Sequence, residues 1–145
     1  MLDRIGSIVF LDAFMPEDSQ SGQTASSAFS RQGIAKALEA GAISRPGPPA
    51  KDFMVASEED RAWVDSLTTE QPLGVSLQPI RLTGAREKVA KKTYILAETY
   101  DSPNFRPCFE KCKADPAWNT YALPCGHDVM VDMPDRLAEI LVEVA

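Results

Sequence analysis

Residues Ser7-Ile8-Val9-Phe10-Leu11 form a near-continuous apolar run that ends on Asp12. A strand apolar on both faces belongs in a parallel sheet, because each face then needs its own covering layer of helices. Such a strand normally has a neighbour on each edge. Here it stands at the start of the chain, which leaves two arrangements. It is an edge with unpaired backbone, or its natural neighbour lies on sequence not present in these 145 residues.

The rest of the chain alternates. Thr93-Tyr94-Ile95-Leu96-Ala97 reads as a second strand and Trp118-Asn119-Thr120-Tyr121-Ala122-Leu123 as a third. Between them, Pro103 to about Lys113 predicts a short helix with Phe105, Phe109 and Cys112 close to helical spacing. Pro134 opens a last helix in which Leu137, Ile140, Leu141 and Val144 fall at i, i+3, i+4 and i+7. Strand and helix in alternation predict parallel pairing with right-handed crossovers. From about Gln20 to Gly84 the character changes: Ser, Thr, Pro and Gly become frequent. Two helical patches stand out there, one over Ser30 to Glu39. The other starts on Ser57-Glu58-Glu59-Asp60, a capping-box-like beginning that leads into Ala62, Trp63 and Leu67.

Composition excludes several classes of partner. The 145 residues give room for one domain, and 44% apolar with 25% charged residues is ordinary globular composition. A formal charge of -6 offers no basic stripe to phosphates, so neither nucleic acid nor an anionic membrane is expected as a partner. The cluster Lys88, Lys91 and Lys92 reads as a solvated approach to a strand. The start Met1-Leu2-Asp3-Arg4 is charged where a secretory leader turns apolar. With three cysteines, an odd number, a reducing cytoplasm is the expected setting.

His127 is the sole histidine, on a loop between a strand and a helix. Open parallel sheets place ligands and catalytic groups at such carboxyl ends. Asp12 stands at the carboxyl end of the first strand, and a carboxylate there can hold an imidazole's Nδ1 proton while Nε2 takes a proton from a nucleophile. The plainer readings are a hydrogen-bonded imidazole and an aspartate that caps a turn. Cys108, Cys112, Cys125 and His127 also supply four soft atoms that could in principle hold zinc, although buried thiols are the simpler expectation and no metal or cofactor is predicted. No serine lies in a Gly-x-Ser-x-Gly elbow, and no glycine-rich phosphate loop is present.

These residues resemble the α/β-hydrolase superfamily. Ile8 to Asp18 is similar to the strand and loop that follow its nucleophile helix, and the likeness is closest to EstC-type esterases, salicylate-binding esterases and hydroxynitrile lyases. Asp60-Arg61-Ala62-Trp63-Val64-Asp65 and Gln78-Pro79-Ile80-Arg81-Leu82-Thr83-Gly84 resemble the family's cap, and Thr93 to Ala97 its penultimate strand. Leu123-Pro124-Cys125-Gly126-His127-Asp128 and Met133 to Leu141 resemble its histidine loop and closing helix. By this resemblance His127 is the triad base. In much of this branch the acid follows the penultimate strand, where this chain reads Ala97-Glu98-Thr99-Tyr100-Asp101 with Tyr100 in the acid's place. Other branches, such as haloalkane dehalogenases, take the acid from the end of the earlier strand. The favoured acid is therefore Asp12, with Asp101 and then Glu98 as alternatives.

The resemblance implies an α/β fold: the C-terminal part of an α/β-hydrolase, about three parallel strands with flanking helices and a mostly helical cap. Residues 1–19 are expected to be core strand and loop, 20–84 a cap-like insertion, and 85–145 the remaining core with the histidine loop. The implied activity is hydrolysis of a carboxylic ester by acyl transfer to serine, on a small apolar ester. Cyanohydrin lyase chemistry is an alternative that uses the same triad. The family's earlier strands, oxyanion loop and serine elbow have no counterpart here, so the chain reads as a fragment that is inactive alone. A serine elbow ~25–35 residues upstream in frame would supply the nucleophile. The rival reading is a non-catalytic α/β remnant, or one part of a split protein, that pairs with itself or a fragment partner through its first strand.

Overall fold

The computed structural model describes residues 2–145; Met1, part of the charged start noted above, lies outside the described residues. The first strand, β1, is Ser7–Leu11. Two helices follow, α1 over Gly22–Ala25 and α2 over Ala28–Glu39, each opened by a serine whose hydroxyl accepts from the backbone three residues on. A two-residue strand β2 (Ser44–Arg45) pairs antiparallel with β3 (Gln71–Pro72) and so closes a loop that contains helix α3, Glu58–Leu67. Helix α4, Leu73–Leu77, follows β3 directly.

The core resumes with β4 (Lys91–Ala97), α5 (Phe105–Lys113), β5 (Trp118–Leu123), a single turn α6 (Val129–Asp132) and α7 (Pro134–Val144). The sheet order is β1-β4-β5, all parallel, with Leu11 opposite Ile95 and Ala97 opposite Leu123. Alternation along β4 divides the interior in two. Ile95 and Ala97 pack with Leu123, Val129, Leu137, Ile140 and Val144 under α7. Tyr94 and Leu96 pack with Phe105, Phe109 and Cys112 of α5. Each large side chain removed from water in this way contributes roughly 1.5–3 kcal/mol. β4 is thus a central strand covered on both sides, while β1 lies at an edge of the three-stranded sheet.

Two details differ from the pattern in the sequence. In α7 the buried stripe is Leu137, Ile140 and Val144, and Leu141 remains 42% exposed at its margin. In α3 no residue is buried, and Trp63 and Leu67 are 56% and 63% exposed. That helix is set by its Ser57 cap and three acidic residues against the positive helix end. Polar ties then dock it: Arg61 Nε donates to the Val55 carbonyl at 2.6 Å, and Asp65 accepts from the Ala50 amide at 2.7 Å. No described helix is long and apolar enough to cross a membrane.

Candidate active site

Asp12 is the first residue past β1. Its amide still donates to the Ile95 carbonyl at 2.7 Å, extending the ladder by one step. The backbone then turns through φ 39°, a left-handed conformation that aspartate tolerates better than most side chains. The turn sends the carboxylate over the end of the sheet, where Oδ1 accepts from the amide of Ala97 at 3.1 Å. The residue is 1% exposed.

The second half of the site comes from the far side of β4. Beyond β5, the Cys125 carbonyl accepts from Thr99 at 3.2 Å, the Gly126 amide donates to Asp132 Oδ2 at 2.9 Å, and the His127 amide donates to the Phe53 carbonyl at 2.8 Å. Every backbone step of the loop is therefore tied down. Gly126 is required by close approach, since a Cβ there would lie 2.4 Å from the Met54 carbonyl oxygen. Met54 itself takes φ 62°, so strained backbone collects where the loop meets residues 50–54.

This arrangement brings His127 Nδ1 to 2.7 Å from Asp12 Oδ2. The imidazole is one quarter exposed, the carboxylate fully covered. Three rings surround it: Tyr100 at 4.8 Å, Phe53 at 5.2 Å and Phe105 at 5.3 Å between centroids, the last nearly parallel. His127, Phe14, Phe53, Tyr100 and Phe105 all line one cleft of about 430 Å³. Among the described residues no hydrogen bond engages Nε2, so the nitrogen opposite the Asp12 bond is available to a group entering that cleft. Burial raises the pKa of neighbouring Asp128, an effect the His127 charge opposes and the Asp132 charge reinforces. Burial, and then the Asp12 charge, raises that of Tyr100.

The other candidate carboxylates stand elsewhere. Asp101 lines the outer cleft, but its side chain is 90% exposed and faces the Arg106 guanidinium at 3.7 Å. Glu98 is exposed. The cysteines are dispersed: Cys112 packs on the α5 side of the sheet and Cys125 on the α7 side. Among the described residues no group of three or more histidine, cysteine or acidic side chains is placed to hold a metal ion. The ring cage and Asp132 carry no signal in the sequence: Tyr100 stands in the acid's place and Phe105 at helical spacing, while Phe53 and Asp132 lie in segments without a recognisable motif.

The small parallel sheet is covered on both faces and holds a histidine and a buried carboxylate joined across its carboxyl ends. Comparison with known proteins agrees on the fold. An extracellular α/β-hydrolase from a Paenibacillus species, described as sharing structural and functional homology with tobacco Salicylic Acid Binding Protein 2, superimposes with a TM-score of 0.80. The superposition covers 99% of this chain and 63% of that one, at 23% identity. In sequence the chain is 35% identical over 147 aligned residues to a carbendazim hydrolyzing esterase of Nocardioides sp. (strain SG-4G). That alignment takes in 95% of this chain and 60% of the relative, so the chain spans about three fifths of the length of the esterase it matches. No protein-family profile matches. The chain is an α/β-hydrolase in fold and a relative of an esterase in sequence.

Proposed function

We propose that this chain carries the general base and the orienting acid of a carboxylic ester hydrolase that works by acyl transfer to serine, with the serine on sequence outside these 145 residues. The observation that carries the reading is the 2.7 Å bond between His127 Nδ1 and the buried Asp12 carboxylate. That bond selects the tautomer with the proton on Nδ1. Nε2 is then the basic nitrogen, placed in the cleft to accept a proton from a serine hydroxyl as it attacks the ester carbonyl. The same proton passes from Nε2 to the departing alkoxide, and the cycle repeats with water to release the acid. Asp12 keeps its bond to Nδ1 and stabilises the transient imidazolium.

Residues 20–84 act as the cap over this reaction, since they contribute Phe53 to the imidazole's surroundings and Ser26, Ser27 and Ser30 to the cleft. The Nocardioides relative's ester chemistry and the neighbour's fold both favour this reading. To test it, the reading frame extended upstream is expressed and assayed on aryl acetates. Hydrolysis should be abolished by His127→Ala, and a fluorophosphonate should label a serine outside these 145 residues. Hydrolysis that survives His127→Ala, or a label on a serine within them, contradicts the proposal.

A further inference from the structure

One wall of the cleft that holds His127 includes Arg45, from the two-residue strand β2. A guanidinium has five N–H donors and no acceptor, and inside a protein they are normally matched. Three other arginines near the cap are matched, and a fourth, Arg81, lies exposed to solvent. Arg31 donates to the Ser26 carbonyl, Arg61 to the carbonyls of Val55 and Ala56, and Arg86 to Glu87 and the Pro16 carbonyl. Arg45 differs. Its Nε is shut off from solvent without a hydrogen-bond partner, and no ion pair among the described residues includes it.

Asp52 and Asp101 share the lining of the cleft, yet neither pairs with this guanidinium, and Asp101 faces Arg106 instead. The remaining wall near the imidazole is aromatic, from Phe14, Phe53, Tyr100 and Phe105. A fork of unmatched donors at one side of an aromatic cleft is complementary to an apolar body that ends in a carboxylate.

We propose that Arg45 is a specificity-determining residue, and that the substrate is an aromatic or aliphatic ester bearing a free carboxylate apart from the ester group. The inference rests on reading the cleft as the ester site. The carboxylate would take the exposed N–H groups first and reach Nε after a small swing of the side chain. Its two oxygens match the fork, as an amide or a second neutral ester does not.

The test uses ligands that need no turnover. Phenylacetate and its neutral isostere phenylacetamide are titrated into the 15N-labelled chain, with the Arg45 Nε–H and the His127 ring as reporters. The acid should bind at least ~10-fold tighter than the amide and shift Arg45 Nε–H, and Arg45→Gln should abolish the preference, since a charge-assisted pair is lost. Arg45→Lys, which keeps the charge and loses the fork, should retain part of it. Equal affinity for acid and amide, no binding of either, or a preference that persists in Arg45→Gln overturns the inference. If Arg45→Gln does not fold, the acid–amide difference and the Arg45 shift in the unsubstituted chain decide. None of these outcomes bears on acyl transfer, which the hydrolysis assay decides separately.

Discussion

Asp12 and His127 are 115 residues apart in the chain and 2.7 Å apart in space, joined across the carboxyl end of the strand that lies between them. The bond is made possible by two local irregularities: the left-handed turn at Asp12, and the glycine at 126 that lets the histidine loop press against Met54.

If Asp12 orients the base of an ester hydrolase, as proposed above, Asp12→Asn should lower kcat by ~10³–10⁴-fold, as loss of a triad acid does elsewhere. Asparagine accepts the same positive φ, so the fold should persist. Asp101→Asn and Glu98→Gln should each change kcat/KM by no more than about twofold, because these side chains are exposed. Steady-state kinetics on the three variants would separate the candidates, and a large loss with Asp101→Asn would transfer the role.

Gly126→Ala should be disruptive although it adds a single methyl. The new Cβ would stand 2.4 Å from a backbone oxygen, which no rotamer change relieves. A loss of ~1–3 kcal/mol in urea-unfolding free energy is expected from overpacking of this kind, along with a changed His127 ring resonance.

Asp132 ties the histidine loop to the cap, with Oδ2 accepting from Gly126 and Oδ1 from Ala56, both at 2.9 Å. Asp132→Ala leaves two amides without these partners and should cost ~1–3 kcal/mol. Hydrogen exchange should rise at Gly126 and Ala56 together. Faster exchange at one alone would show that the carboxylate does not act as a bridge.

Burial pushes the Cys112 and Cys125 thiols up to about 11 in the folded chain, from an ordinary value of 9.0. Both states hold the thiol proton below the unfolded value, and above it only the folded state does. The contribution is therefore intact below about pH 9 and is lost as pH rises towards about 11. The urea midpoint should fall across that window, and Cys112→Ala with Cys125→Ala should flatten the fall. Near neutral pH, alkylation should proceed faster at half-buried Cys108 than at the two buried thiols.

Much of the core was legible in the residues. The apolar run over Ser7–Leu11 and the β-rich run over Trp118–Leu123 became strands within those limits, because each is a short stretch whose period fits a covered sheet. Asp12 and His127 could be named because strand ends in a parallel sheet converge on one edge. The aromatic cage could not, since Phe53, Tyr100 and Phe105 come from three segments whose meeting depends on tertiary contacts alone. Nor could the β2–β3 ribbon, only two residues per strand and with a proline in one of them, which carries no periodic signal. The exposed face of α3 shows the converse: an amphipathic pattern predicts a helix more securely than it predicts what covers it.

If Asp12 orients the base, it holds the proton on Nδ1 and leaves Nε2 free to accept one. The direct measurement is the 15N spectrum of the neutral His127 imidazole in the chain and in Asp12→Asn. The predicted result is a protonated Nδ1 and a bare Nε2 in the chain, with the preference weakened or reversed in Asp12→Asn. A proton on Nε2 in the unsubstituted chain, or spectra that do not change with the substitution, would contradict this role for Asp12.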